Sequence, residues 1–321
     1  MPERIDAFTH VLTEHFYDVL VDEYEFKGLS GSPSWLWELE PRWEDMDDYG
    51  IDKQVINLAL PPIWQGMDPE EALPLVQLAN DEVARLADEH PDRFIPVGTL
   101  PFATDEYLAE FDRCVEDLDM AGVQIFTNVD GRPIDEAYDG LFGRAADAEA
   151  PLWLHPQLGT WADWLSEYMD HRLYGWPFDT TVALSRLVFS GVAVEHPDLD
   201  VIAHHGGAMV PFFGGRVTQF YETRLAYPDN YPGLEFPDFE KPPVEYLQAF
   251  HADTALGGSS TALNCATDFF GNDRVVFGTD YPFGPERGRR PLMQAVEMID
   301  NASMSADERR GVYGGNLESL L

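Results

Sequence analysis

Lysine is nearly absent from this chain: Lys27, Lys53 and Lys241 are the only three in 321 residues. Lys and Arg together number 20 against 58 Asp and Glu, a formal net charge of −38. A surface so short of cations repels nucleic acid, whose phosphates are bound by Lys and Arg with release of counterions, and that partner is excluded. An anionic membrane surface is excluded on the same ground. Cysteine is equally scarce. Cys114 and Cys265 have no metal-type spacing and offer no disulfide framework, which points to the reducing cytoplasm. No apolar run approaches the ~20 residues of a membrane span, and the opening MPERIDAFTH has no apolar signal core. No GxGxxG follows the first strand-like run, which argues against a doubly wound dinucleotide-binding sheet.

What is present is an ordinary interior. Hydrophobic residues make up 45% and aromatics 13%, enough for a large core and unlike a disordered acidic chain. The acids are spread along the whole sequence and never form a block. This combination is expected of a protein adapted to high salt, where the Debye length shrinks to ~3 Å at 1 M and self-repulsion is screened.

Short β-rich runs alternate with longer helix-period segments. Strands are predicted over Arg4–His10, Lys53–Leu60, Phe94–Thr99, Gly122–Thr127, Leu152–His155, Asp200–His204, Phe250–Asp253 and Arg274–Thr279. Helices are predicted over 42–49, 69–90, 105–120, 135–148, 180–195, 209–224, 259–271 and 291–300. Alternation on this scale predicts an α/β fold, a TIM (β/α)8 barrel forming one domain over residues 1–321. Long loops are expected at about 11–40, 156–175 and 227–243. The first two leave the C-terminal ends of strands, where barrel active sites sit, and carry Trp35, Trp37, Trp161 and Trp164.

At those same ends lie His10, His155, the pair His204-His205, and Asp280. Imidazoles and a carboxylate at one rim match the nitrogen and oxygen donors preferred by zinc and related divalent metals. Each residue also has a plainer reading. His155 fits a packed core histidine, Asp280 fits a turn cap, and His205 fits packing or a backbone hydrogen bond. For His90 and His196, in repeated His-Pro-Asp helix stops, the plain reading wins. Asp253-Thr254 faces the same rim in a supporting position.

The chain resembles the amidohydrolase superfamily, in particular the branch of aminocarboxymuconate-semialdehyde and resorcylate decarboxylases. The resemblance runs nearly end to end through Ile5–His10, Arg42 to Met46-Asp47, GVQIFTNVDGRPID from Gly122, WLHP from Trp153, AHHGGAMVPF from Ala203 and FGTDYPFG from Phe277. It implies a TIM barrel with one divalent metal, zinc first and manganese second, held here by His10, His155 and Asp280. It further implies His204 as acid/base beside Asp280, Arg42 holding a substrate carboxylate, and Arg216 on a segment that reaches into a neighbouring subunit of a homodimer or higher oligomer. The substrate class implied is a small, carboxylate-bearing, ring-containing compound, decarboxylated or hydrolysed, with Trp161 and Phe8 in its pocket.

One position departs from the pattern. Phe8 stands where the family places its first metal ligand, and a strict period of two puts Asp6, Phe8 and His10 on one inward face. A phenyl ring cannot ligate. Two alternatives therefore stay open: a metal-free barrel with a binding or regulatory role, and a metal-free acid/base enzyme using His204 and Asp280.

Overall fold

Runs such as Val123–Phe126, Leu152–His155 and Val201–Ala203 are short and buried along their whole length. Strands of this kind belong in parallel sheets covered on both faces. The computed structural model describes residues 3–24, 33–58, 61–157 and 167–321. Among these, eight parallel strands form the barrel wall: β1 (Ile5–Val11), β2 (Lys53–Leu58), β3 (Phe94–Pro96, continuing after Val97 as Gly98–Thr99), β4 (Val123–Phe126), β5 (Leu152–His155), β6 (Val201–Ala203), β7 (His251–Asp253) and β8 (Val275–Val276). They pair in sequence order from β1 to β8. The ring closes where Ala7 N–H donates to Phe277 O at 2.7 Å and His10 N–H to Tyr281 O at 2.7 Å. The barrel architecture is that expected from the alternation of elements.

Two apolar layers follow from this closure. Phe8, Val55, Val97, Trp153, Ile202 and Val276 fill the barrel interior. A larger layer, including Val76, Leu141, Leu184 and Leu292, packs the helices against the outside of the wall.

Three expectations are corrected. The long segment after β1 is not all loop: Thr13 caps a helix over Glu14–Glu23 by accepting from Phe16 N–H at 3.2 Å, and Phe16 and Leu20 bury one face of it. The eighth strand pairs regularly over only two residues, because the next amides leave the ladder: Phe277 N–H donates to Val312 O at 2.7 Å and Gly278 N–H to Thr254 Oγ1 at 3.0 Å. In β1 the pairing with β2 shifts between Asp6 and Thr9, the signature of a bulge, which breaks the period of two. Ile5, Ala7 and Phe8 consequently join the interior layer, whereas Asp6 turns to Thr279 and the field of Arg42.

Candidate active site

The C-terminal ends of β1, β5, β6 and β8 bring four predicted residues together. His10, His155 and His204 are buried, and a donor atom from each lies within 4.8 Å of the others. Asp280 Oδ1 stands 3.1 Å from His10 Nε2 and 3.5 Å from His204 Nε2. His205 joins from above, its Nε2 4.0 Å from Asp280 Oδ2.

The local chain explains these positions. After His204 the backbone turns sharply through Gly206 and Gly207, at φ 66° and 68°. A side chain at either would collide with Leu256 or Phe270, a Cβ approaching each to 2.6 Å. Asp253, at the end of β7, holds this turn by accepting from Gly206 N–H at 3.1 Å. Its other oxygen takes the Nδ1 of His204, which leaves Nε2 facing the cluster. His155 is oriented in the same manner, Nδ1 contacting Pro156 O at 2.7 Å. Imidazoles held at Nδ1 by a carboxylate or carbonyl are the usual arrangement for metal ligation through Nε2.

The electrostatics set His155 and His204 apart. Burial drives His155 well below its ordinary pKa, with His10 and His204 adding to the effect, so it is a neutral donor. Burial and His204 likewise lower His205 to about 4. Burial alone would raise Asp280, but His10 and His204 hold it well below the ordinary carboxylate range. For His204 burial opposes the charge, yet Asp253 and then Asp280 push its pKa up to about 10.

Among the described residues, neither ring nitrogen of His10 has a hydrogen-bond partner, and neither does Nε2 of His204. His10 and Asp280 approach each other closely, but off the hydrogen-bonding direction. Buried polar atoms left unpaired cost about 1–3 kcal/mol each. A divalent cation could take one nitrogen of His10 together with His155 and Asp280, so the residues fit the metal that the resemblance implies.

Aromatic rings wall the cluster. Phe8 lies face to face with His204, ring centroids 4.0 Å apart and planes 16° from parallel. Phe283 is 5.4 Å from His10 and carries Trp35 against its outer edge at 5.5 Å. Trp176 stands 5.6 Å from His155 and 6.4 Å from His205. Sequence reading missed Trp176 and Phe283; the signal available for Phe283 was its place just beyond β8, whereas Trp176 opens the helix that follows the long connection after β5.

Other predicted residues fall elsewhere. Arg42 is fully buried with both terminal nitrogens bonded to protein groups, so its contacts are not those of the carboxylate clamp expected of it. One of its terminal nitrogens donates to Gln54 Oε1 at 2.7 Å and the other to His10 O at 2.6 Å. Its guanidinium lies over the Tyr281 ring at 4.8 Å. Asp6, expected on the inward face with Phe8 and His10, instead accepts from Thr279 N–H at 3.0 Å and Thr279 Oγ1 at 2.5 Å. Glu14 is exposed, and His15 pairs with Glu82 at 3.2 Å. Arg216 is exposed on the helix Val210–Ala226. Arg287, Arg289 and Arg290 form ion pairs with Glu38, Asp45 and Asp48, and Glu286, their plain reading. Trp161 and Trp164 lie outside the described residues.

Comparisons with known proteins bear on this geometry. The sequence-family profile described as Amidohydrolase matches residues 5–321. A 2-amino-3-carboxymuconate-6-semialdehyde decarboxylase from Dictyostelium discoideum is 30% identical, over 99% of this chain and 91% of its own length. Among solved structures, 5-carboxyvanillate decarboxylase from Sphingomonas paucimobilis superposes with a TM-score of 0.86 at 22% identity, covering 100% of this chain and 99% of that one. The 5-carboxyvanillate decarboxylase from Novosphingobium aromaticivorans, complexed with manganese and 4-hydroxy-3-methoxy-5-nitrobenzoic acid, gives 0.84 at 24% identity, covering 99% and 96%. At these identities the two structures speak for the fold.

Proposed function

The chain belongs to the amidohydrolase family, and on that premise we propose that it is a metal-dependent decarboxylase of a small aromatic carboxylate. The observation that carries this reading is the convergence of buried, unpaired His10 and His204 nitrogens with His155 and Asp280 under an aromatic wall. A bound divalent metal supplies a Lewis acid that polarises a substrate oxygen. Zinc suits the imidazole-rich donors, and manganese is the ion in the Novosphingobium enzyme.

The remaining work belongs to this chain's own residues. His10, His155 and Asp280 hold the ion. His204, fixed at Nδ1 by Asp253 and on its face by Phe8, presents Nε2 to move a proton. The proton goes to the ring carbon that bears the carboxylate. The bond from that carbon to the carboxylate then breaks, its electron pair restores the ring, CO₂ leaves, and water returns the proton to His204. Trp176 and Phe283 flank the space where an aromatic ring can stack.

The substrate carboxylate still needs a cation, and Arg42 is committed elsewhere. The helix Val210–Ala226 leaves Phe212 75% exposed and Phe213 and Phe220 41% exposed, with Arg216 one turn from both Phe212 and Phe220. An apolar stripe of this kind supports a homodimer in which Arg216 enters the partner's pocket. The acidic surface and scarce cysteines support a cytoplasmic enzyme working at high salt.

The test is CO₂ release from 5-carboxyvanillate, 2,6-dihydroxybenzoate and related hydroxybenzoates at molar salt. Metal-loaded protein releases CO₂ from at least one, and chelation abolishes it. Metal-loaded protein that hydrolyses ester or amide analogues but never releases CO₂ would refute the decarboxylase reading.

A further inference from the structure

Among the described residues, Phe8 is the one apolar side chain whose ring lies against all three clustered imidazoles. Its centroid is 4.0 Å from that of His204, 5.7 Å from His10 and 6.1 Å from His155. The β1 bulge turns it inward beside His10, and it is 0% exposed. Beneath it lie Val55, Val97, Trp153 and Ile202, the apolar floor of the barrel. Phe8 thus occupies the deep side of the cluster, the direction from which neither water nor a further side chain can approach an ion held above it. No described residue replaces the missing donor there: Asp6 is turned to Thr279, and His15 to Glu82.

We infer that the metal centre of this chain has a closed, carbon-walled deep face. His10, His155 and Asp280 are its protein ligands, Phe8 blocks one coordination position, and the open positions face the mouth beneath Trp176. This rests on the reading of the cluster as a metal centre and adds its coordination number and strength. Blocking one direction limits the ion to four or five ligands. Losing one donor also leaves it more weakly held and more readily exchanged than a site with a fourth protein ligand. Phe8 meanwhile acts on His204 by stacking, which fixes the imidazole plane while Asp253 fixes its Nδ1.

The inference is tested by metal binding rather than turnover. Apo protein is titrated with Zn²⁺ and with Mn²⁺ in competition with a chromophoric chelator, as wild type, Phe8→His and Phe8→Leu. Phe8→His restores a donor on the deep face and tightens binding by about tenfold or more, whereas Phe8→Leu, carbon for carbon, leaves the affinity within about twofold. A Phe8→His protein that folds, by circular dichroism, yet binds no tighter than wild type overturns the inference. Should that variant not fold, the wild type decides it through its Co²⁺ derivative. Intense visible d–d bands of four- or five-coordination are expected, and the weak bands of an octahedral ion overturn the proposal. Failure of both wild type and Phe8→His to bind any ion overturns the metal reading itself. Binding by both with equal affinity overturns only the role given to Phe8.

Discussion

Two buried polar clusters lie within a few residues of each other on β1, and they are built on opposite principles. On one side of the wall, Arg42 is fully satisfied by Gln54, the His10 carbonyl and the Tyr281 face. Tyr281 in turn donates to Asp45 at 3.0 Å, and Arg289 pairs with Asp45 and Asp48. On the other side, among the described residues, His10 has two unpaired nitrogens and His204 one. Charges that complete one another hold a fold together. Donors that aim at a common point without completing one another are waiting for something else. Arg42 links the two, since the backbone carbonyl it grips belongs to His10.

The sharpest way to break the contrast is to remove a donor from the incomplete cluster. Asp280→Asn is expected to lower CO₂ release by on the order of 10⁴-fold, since ligation and proton handling fail together, while the melting temperature barely moves. The complete network should answer in the opposite manner. Arg42→Met leaves Asp6 without its neighbouring cation and the His10 carbonyl without its donor, and about 3–5 kcal/mol of stability should disappear in urea melts.

Asp6 sharpens the comparison through pH. Burial raises its pKa from 3.8 to about 7, against the opposing pull of Thr279 and Arg42. The folded protein therefore keeps a proton that the unfolded chain has lost across the window from about pH 4 to 7. The stability this provides is fully present below about pH 4 and drains away as pH rises through 7. Urea melts between pH 4 and 8 should show a decline of up to about 4 kcal/mol that Asp6→Asn removes. Equal slopes in both proteins would contradict the assignment.

Smaller effects mark the border between the clusters. Asp253→Asn should slow CO₂ release by about 10–100-fold, read as kcat, because His204 loses its orienting partner while keeping its Nε2. Arg287→Ala, which breaks an exposed pair with Glu38, should change stability by no more than about 0.5 kcal/mol. A larger loss there would mean that surface pairing contributes more than the buried network implies.

The strand ends were readable from sequence because apolar runs and their polar terminal residues recur at barrel spacing. His10, His155, His204 and Asp280 are therefore legible from their positions in the sequence. The destination of Arg42 was not readable. Its place before Met46-Asp47 suggested a carboxylate clamp, but whether a helical arginine reaches the pocket or the wall depends on which way the helix Leu39–Tyr49 is rolled. The face assigned to Asp6 failed for a local reason, since a bulge in β1 carries no signature in the residues Ala7 and Phe8 that form it. Trp176 escaped notice because its proximity to His155 is created by the return of the chain after a long connection rather than by neighbours in sequence.

The contrast between the clusters comes to a single observation, the anomalous scattering of a crystal grown with manganese at molar salt. The account predicts one strong peak bonded to His10, His155 and Asp280, with the Phe8 ring across its deep face and nothing near Arg42. A crystal with no peak at that cluster, or with the ion bound away from His10, would contradict it.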